Sequence, residues 1–412
     1  MPPTITHAGR LHLKWALIDG IGPLLFSRLM VQFGDAETAM GASAGQLAQI
    51  KRIGRESAER IARERDTLEI ESEIAAAAEH GVRIICQADD DYPPGLRRIA
   101  DPPIVLYVKG ELRPTDAVAI AVVGTRRCTI YGGEQARRFG ELLAGAGFTV
   151  VSGLARGIDA LAHHGAVEAG GRSIAVMGKG LPEVYPPENQ ALAEKLLESG
   201  AWISELPMRA EVRRENFPGR NRIIAGMTLG TLVIEAPQRS GALITARLAN
   251  EYNREVFAVP GRAQDPTFFG SNDLIRRAYA KLTVCLEDIL DELGEVGEKM
   301  RPTPDDAADT PEGAAAGPSE NVAAEPRTGR DNVASGLRAG RSEHPAPAPT
   351  PRLSETEKRV YEVITYDPIF QDAVLTASQL PPGEVLAAFT TLELKGLIKR
   401  LPGQLVVRAG RA

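Results

Sequence analysis

Residues 117–127 read Ala117-Val118-Ala119-Ile120-Ala121-Val122-Val123-Gly124-Thr125-Arg126-Arg127, and this stretch decides the fold. Seven apolar residues in a row run directly into a glycine, a hydroxyl and two arginines. An unbroken apolar run of that length, closed by a glycine turn, is a strand covered on both faces, as parallel sheets require. Five more runs follow, at 148–151, 173–177, 202–204, 231–236 and 256–259. Amphipathic stretches with helical spacing lie between them, at 134–144, 160–169 and 242–253. Strands alternating with helices specify an α/β fold, a doubly wound parallel sheet.

Ligands of such a sheet sit beyond the carboxyl ends of its strands, where loops meet helix N-termini. Three glycine-containing loops fall there. The first carries Gly124, Thr125 and Arg126, the second Ser152, Gly153 and Arg156, and the third Gly178, Lys179 and Gly180. Each can turn N–H groups and hydroxyls toward an anion, which helix dipoles favour, and Arg126 and Lys179 add full charges. The loops do not spell a dinucleotide fingerprint. Gly124-Thr125-Arg126 fails it at the second glycine, and Gly178-Lys179-Gly180-Leu181-Pro182-Glu183 fails it at the third. A phosphate-binding loop ending in Gly-Lys-Ser/Thr is absent, which excludes that class of ATPase. Residues 216–224 then place Phe217, Arg220, Asn221 and Arg222 at the start of a helix. Arginine forks suit phosphate, and a phenyl face suits a base. Together with the loops, this segment points to a nucleic-acid phosphate edge rather than a set of solvated arginines.

The rest of the chain sets limits. It has 412 residues, enough for two or three domains, and 43% are hydrophobic. Its 48 basic against 54 acidic residues give a net charge of −6, so bulk positive charge cannot be what holds a nucleic acid. Cys86, Cys128 and Cys285 are far apart and form no CxxC pair, which argues against a disulfide framework or a cysteine zinc site. His163-His164 lacks a third ligand nearby and reads as core or surface. No apolar run approaches the ~20 residues of a membrane span, and the first ten residues lack a signal-peptide pattern. The expectation is a cytoplasmic protein with no cofactor and no membrane contact.

Outward from the sheet, residues 1–75 look helical, with Leu13, Leu17, Ile21, Leu25 and Leu29 near helical spacing. Gly20-Ile21-Gly22-Pro23 interrupts them, and Ile50-Lys51-Arg52-Ile53-Gly54 is a second, weaker version of that turn. The pattern fits either a DNA-binding helix-hairpin-helix or a plain helical hairpin ended by glycine. Residues 301–351 hold nine prolines and eleven alanines but only Val322, Val333 and Leu337 as large apolar groups, the composition of a disordered linker. After it, 352–412 has three helical stretches and a closing apolar segment, as a winged helix would. The divisions expected are a helical domain at 1–75, an α/β domain at 76–295, a linker at 296–351 and a winged-helix domain at 352–412.

One family has these motifs in this order. The chain carries Tyr92-Pro93, Asp101-Pro102-Pro103, Val123-Gly124-Thr125-Arg126 with Tyr131-Gly132, and Ser152-Gly153-Leu154-Ala155-Arg156-Gly157-Ile158-Asp159. Phe217-Pro218-Gly219-Arg220-Asn221-Arg222, Ser240-Gly241-Ala242-Leu243-Ile244-Thr245 and Val259-Pro260-Gly261 follow. It resembles the bacterial DNA-processing protein A family, also called DprA or Smf, over about 90–275. Two places depart from the pattern: Lys179, where the family commonly has a small residue, and Leu274-Ile275-Arg276-Arg277-Ala278-Tyr279. The resemblance implies an extended Rossmann-like sheet, a helix-hairpin-helix (SAM-like) N-terminus and a winged-helix tail. It implies a homodimer without catalytic activity that binds single-stranded DNA, protects it and helps load the RecA recombinase in natural transformation. Carried over residue by residue, the DNA pocket would comprise Gly124, Thr125, Arg126, Ser152, Gly153, Arg156, Lys179, Phe217, Arg220, Asn221 and Arg222.

The rival reading is a nucleotide-sugar hydrolase of the lysine-decarboxylase-like Rossmann group, suggested by Gly230-Thr231-Leu232-Val233-Ile234-Glu235. That group's Pro-Gly-Gly-x-Gly-Thr run is missing. Asp159, Glu205 and Glu235 are the acids placed to do chemistry, and each has a simpler role as helix-end charge or loop anchor.

Overall fold

The computed structural model describes residues 5–301 and 353–408, the latter without 365–368, 379, 396 and 402–404. The chain divides into two compact units, Met1–Ala316 and Gly317–Ala412.

The first unit is built on nine strands. They are β1 (Val82–Cys86), β2 (Val105–Gly110), β3 (Ala119–Val123), β4 (Thr149–Ser152), β5 (Ser173–Val176), β6 (Ala201–Ser204), β7 (Gly230–Val233), β8 (Glu255–Ala258) and β9 (Lys281–Leu282). Their spatial order is β1-β2-β6-β5-β4-β3-β7-β8-β9. From β6 to β9 every pairing is parallel. At one edge, β2 runs antiparallel to both β6 and β1, so the sheet is mixed rather than wholly parallel. The chain winds outward from β3 through β4, β5 and β6, then returns to lay β7 on the other side of β3. That reversal is the topological switch point, the place where open α/β sheets bind ligands.

β3 explains why its sequence is unbroken. Ile120 and Val122 join a core with Phe139, Leu143, Ile158 and Phe257, whereas Ala119, Ala121 and Val123 join the opposite core with Ile223, Ile224 and Ala246. Alternate residues point to opposite faces, and both faces are dry. On the first face, helices Ile130–Gly145 and Ile158–Glu168 pack unusually close. A Cβ on Gly140 would lie 2.2 Å from the Ala162 carbonyl oxygen, so that crossing needs glycine.

The N-terminal helices form no separate body. Trp15, Leu13 and Phe26 share a core with Met177 and Trp202, and the boundary expected at residue 75 falls inside helix Glu71–Glu79. The first Gly-x-Gly turn does join two helices, His7–Leu17 and Pro23–Phe33, with Gly20 at φ +78° and Pro23 in the first helical position. In the second copy the left-handed position is filled by Arg52. At the other end the body continues through helix Glu295–Lys299, past the linker start expected at 296. Most of that linker lies outside the described residues. Among the described residues no helix is long and apolar enough to cross a membrane.

The second unit has helices Glu355–Val363, Gln371–Ser378 and Pro382–Leu394. A short strand, β10 (Ile369–Phe370), joins the hairpin β11 (Ile398–Leu401) and β12 (Leu405–Arg408), in the order β10-β12-β11. Val360, Val374, Val385, Phe389, Leu392 and Val406 fill its core. Three helices and a hairpin are the winged-helix arrangement.

Candidate nucleic-acid interface

Beyond the carboxyl ends of β3 and β7, at the switch point, lies a cavity of about 370 Å³. One wall is the loop after β3, with Gly124, Thr125 and Arg126. This loop is held by backbone bonds. The Thr125 N–H donates to the Glu235 carbonyl at 2.8 Å, and the Thr125 carbonyl accepts from the Ile158 N–H at 3.2 Å. Gly124 must be glycine, because a Cβ there would lie 2.4 Å from the Ile158 side chain.

The opposite wall is the start of helix Asn216–Gly226, with Phe217, Pro218, Arg220 and Asn221. The third is the loop after β7 and the start of helix Ala242–Glu251, with Arg239, Ser240, Gly241 and Thr245. Neither helix has a side chain capping its N-terminus. The leading N–H groups are already bonded, Asn216 to the Arg213 carbonyl at 3.1 Å and Ala242 to the Ser240 hydroxyl at 3.3 Å, so the two helix starts that border the cavity favour an anion through their dipoles rather than through free donors.

The guanidinium of Arg126 lies over the Phe217 ring at 4.9 Å and that of Arg220 at 5.8 Å. Arg126 and Arg239 are exposed and make no ion pair among the described residues. Arg220 is buried and donates to the carbonyls of Gly153 and Val176, both at 2.6 Å. Burial lowers its pKa to about 10, against the pull of Asp159, so it stays a cation at neutral pH. Asp159 also lines the cavity. Burial raises its pKa, and the Arg220 charge opposes that rise. The lining thus sets three arginines against one carboxyl.

The expected site residues do not all meet here. Gly124, Thr125, Arg126, Phe217, Arg220 and Asn221 line the cavity, but Ser152, Gly153, Arg156, Lys179 and Arg222 do not. The Ser152 hydroxyl is buried and donates to the Val122 carbonyl at 2.6 Å. The Gly153 N–H donates to Asp159 at 3.2 Å, and the place its Cβ would take lies 1.9 Å from the Arg220 guanidinium. That second loop faces inward, and its glycine makes room for an arginine. Lys179 is paired with Glu183 at 2.8 Å, and the exposed Arg156 is paired with Glu188. Arg156 and Gly153 border a small recess beside the cavity, shared with Arg126 and Phe217.

Arg222 differs most from expectation. Two residues along a helix is more than half a turn, so Arg220 and Arg222 cannot face the same way. Arg222 is buried on the far side, paired with Glu205 and, at 3.7 Å, with Asp101, whose carbonyl it also meets. Tyr252 donates to the Asp101 carboxylate at 2.7 Å and completes the network. Arg222 braces the helix that carries Phe217 and Arg220. Arg239, Ser240, Gly241 and Thr245, missing from the expected site, are the contribution of β7. Their signal was the strand order, since the loop after the fifth run faces the loop after the first only across a switch point.

The hydrolase reading finds no catalytic carboxylate in the cavity at Glu235. That residue is 0% exposed, and its carboxylate accepts the N–H of Thr129 at 3.0 Å and its hydroxyl at 2.8 Å. It anchors the start of helix Ile130–Gly145. His163 is a core residue bonded to the Ser173 hydroxyl at 2.7 Å.

A switch-point cavity lined by three arginines and an aromatic ring places the chain among Rossmann-like proteins with a site suited to an anion. Comparison with known proteins narrows that class. The model of the DNA recombination-mediator protein A family matches residues 83–294, and that of the DprA winged helix domain matches 344–404. Protein Smf of Synechocystis sp. is 33% identical over 400 residues, spanning 95% of this chain and 96% of the relative. Protein Smf of Escherichia coli is 44% identical over 225 residues, 54% of this chain and 60% of the relative. The X-ray structure of DNA processing protein A from Streptococcus pneumoniae superposes with a TM-score of 0.61 at 31% identity, over 70% of this chain and 98% of that one. The chain belongs to the DNA recombination-mediator protein A (DprA/Smf) family.

Proposed function

We propose that this protein binds single-stranded DNA in the cavity between the loops after β3 and β7. The observation that carries the reading is the grouping of Arg126, Arg220 and Arg239 with the Phe217 ring in one cavity. Phosphates meet the arginines and the two helix starts, while a base stacks on Phe217. Phosphate contacts and stacking carry no base code, so binding through them is tolerant of sequence. Family membership supports a role in DNA processing and recombination. We extend the reading, on the family resemblance, to a homodimer that protects incoming single strands and helps load the RecA recombinase. Of the first set of anion contacts, Lys179 and Arg156 take part only if a phosphate displaces Glu183 or Glu188.

Fluorescence anisotropy of the full chain with labelled single- and double-stranded oligonucleotides of one sequence tests the proposal. Tighter binding of the single strand, competed poorly by free mononucleotide, is the expected result. Equal affinity for the duplex, or release of base or phosphate from a nucleoside monophosphate, would overturn it.

A further inference from the structure

One strand further along the same sheet edge is a second recess, of about 510 Å³. The proposed DNA cavity lies beyond β3 and β7, and this recess lies where the chain after β3 meets the loop after β8. Ile130, Tyr131, Pro260, Arg262 and Phe268 form most of it. The Tyr131 ring is held at both ends. It packs on Phe268 at a centroid distance of 5.8 Å, and its hydroxyl donates to the Pro260 carbonyl at 3.3 Å. Even so, 43% of Tyr131 and 84% of Ile130 remain exposed. An isoleucine so exposed contributes little to the core, and an aromatic side chain fixed beside it presents a ready apolar face.

Charge tells what fits. Arg262 lines this recess, and Arg127 precedes its first lining residue, Thr129, by two positions in the chain; both are exposed, with no ion pair among the described residues. The one acid in the lining, Asp265, already accepts the N–H and hydroxyl of Thr267, at 3.0 and 2.8 Å. An apolar, partly aromatic face flanked by arginines matches a flat base with an anionic phosphate on each side. One short segment also supplies both linings, since Arg126 lines the cavity and Thr129 the recess.

We infer that this recess is a second base subsite, which receives a nucleotide flanking the one held at Phe217. The inference rests on the single-strand reading of the cavity. Tyr131 and Ile130 form the stacking platform, and Arg127 and Arg262 meet the neighbouring phosphates. The strand therefore runs along the sheet edge from Phe217 past Arg126 to Tyr131.

The test is affinity as a function of oligothymidylate length at fixed salt, with the full chain. The wild-type protein should gain affinity once the strand is long enough to reach the recess. Tyr131→Leu and Ile130→Ser should bind the shortest strands as wild type does and lose the later gain, on the order of tenfold. Ile130 is exposed, so its variant keeps the test valid if Tyr131→Leu folds poorly. Oligothymidylate carrying 5-iodouracil should crosslink to Tyr131 under light. Wild-type protein that binds no strand would sink the cavity reading and this one with it. Variants with wild-type length dependence, together with no crosslink at Tyr131, would overturn the second subsite alone. That is the outcome expected if the recess instead receives a protein.

Discussion

Replacing Arg126 and Arg222 separately by alanine should give two different failures. On a strand short enough to fill the cavity alone, Arg126, Arg220 and Arg239 imply about three phosphate contacts, hence a salt slope near −2 at about −0.7 per contact. Arg126→Ala removes one contact, so the slope should flatten by about 0.7 and affinity fall alike for all sequences. Its stability should hardly change. Arg126 is exposed, and the contact it gives up in the free protein is the one over Phe217, worth about 0.5–1 kcal/mol. Arg222→Ala leaves the Glu205 and Asp101 carboxylates without their cation in a mostly buried network, a cost of about 3–5 kcal/mol. Whatever folds should keep the wild-type slope.

Anisotropy titrations across a sodium chloride series measure the slope, and urea denaturation measures stability. Both must be run on each variant. An Arg126→Ala protein of normal stability with an unchanged slope would place the DNA elsewhere. An Arg222→Ala protein of normal stability with a flattened slope would refute the division of the two faces.

Phe217→Ala should weaken single-strand binding by about 1–3 kcal/mol with little change in salt slope, and a changed slope with unchanged affinity at fixed salt would contradict stacking. Gly153→Ala would drive a methyl group into the Arg220 guanidinium, so it should cost about 1–3 kcal/mol of stability and weaken binding, checked by denaturation and anisotropy. His163 makes stability depend on pH. Burial holds its pKa down to about 3, against about 6.5 in the unfolded chain. As pH falls below about 6.5 the unfolded state takes up a proton that the folded state refuses, so stability drops by up to about 1.4 kcal/mol per unit. His163→Asn lacks that component, and denaturation curves that stay parallel for the two proteins down to about pH 4.5 would refute it. A chain ending at Arg301 should keep single-strand binding, because the body closes with helix Glu295–Lys299 and Met300 packs on the core of the sheet. Loss of all binding in a soluble truncation would assign the site to the tail.

The sheet was legible because its strands are covered on both faces, and such strands write themselves as apolar runs. Ala117 to Val123 needs no partner to be recognised. The two antiparallel strands at one side are different. β1 carries Arg83 at its second position, and β2, apolar from Val105 to Val108, ends in Lys109 and Gly110. Their antiparallel place in the sheet depends on pairing with each other and with β6 across nearly a hundred residues, which no local pattern encodes. Helical spacing makes the N-terminal helices legible, but the core they share with Trp202 and Met177 is equally non-local.

For the site, the loops point to the sheet edge where the cavity lies, but not to the direction of each side chain. Spacing alone was enough to separate Arg220 from Arg222, because positions two apart on a helix diverge. Glu183 and Glu188 both lie in the quoted third strand turn or shortly after it, yet only the fold brings Glu188 to Arg156, 32 residues away. Gly153 is the most instructive position. A glycine after a strand suggests backbone N–H groups turned toward an anion, but here the N–H donates to Asp159 and the missing side chain is what matters. Its missing side chain admits the Arg220 guanidinium, which bonds the Gly153 and Val176 carbonyls and so ties the ends of β4 and β5 to the helix that carries Phe217. With two N–H bonds fixed to carbonyls, the guanidinium enters the cavity lining already oriented, and little side-chain entropy remains to be lost when a phosphate arrives. If the cavity holds single-stranded DNA as proposed, the glycine acts through the arginine it admits, and a methyl group there should weaken binding without touching DNA.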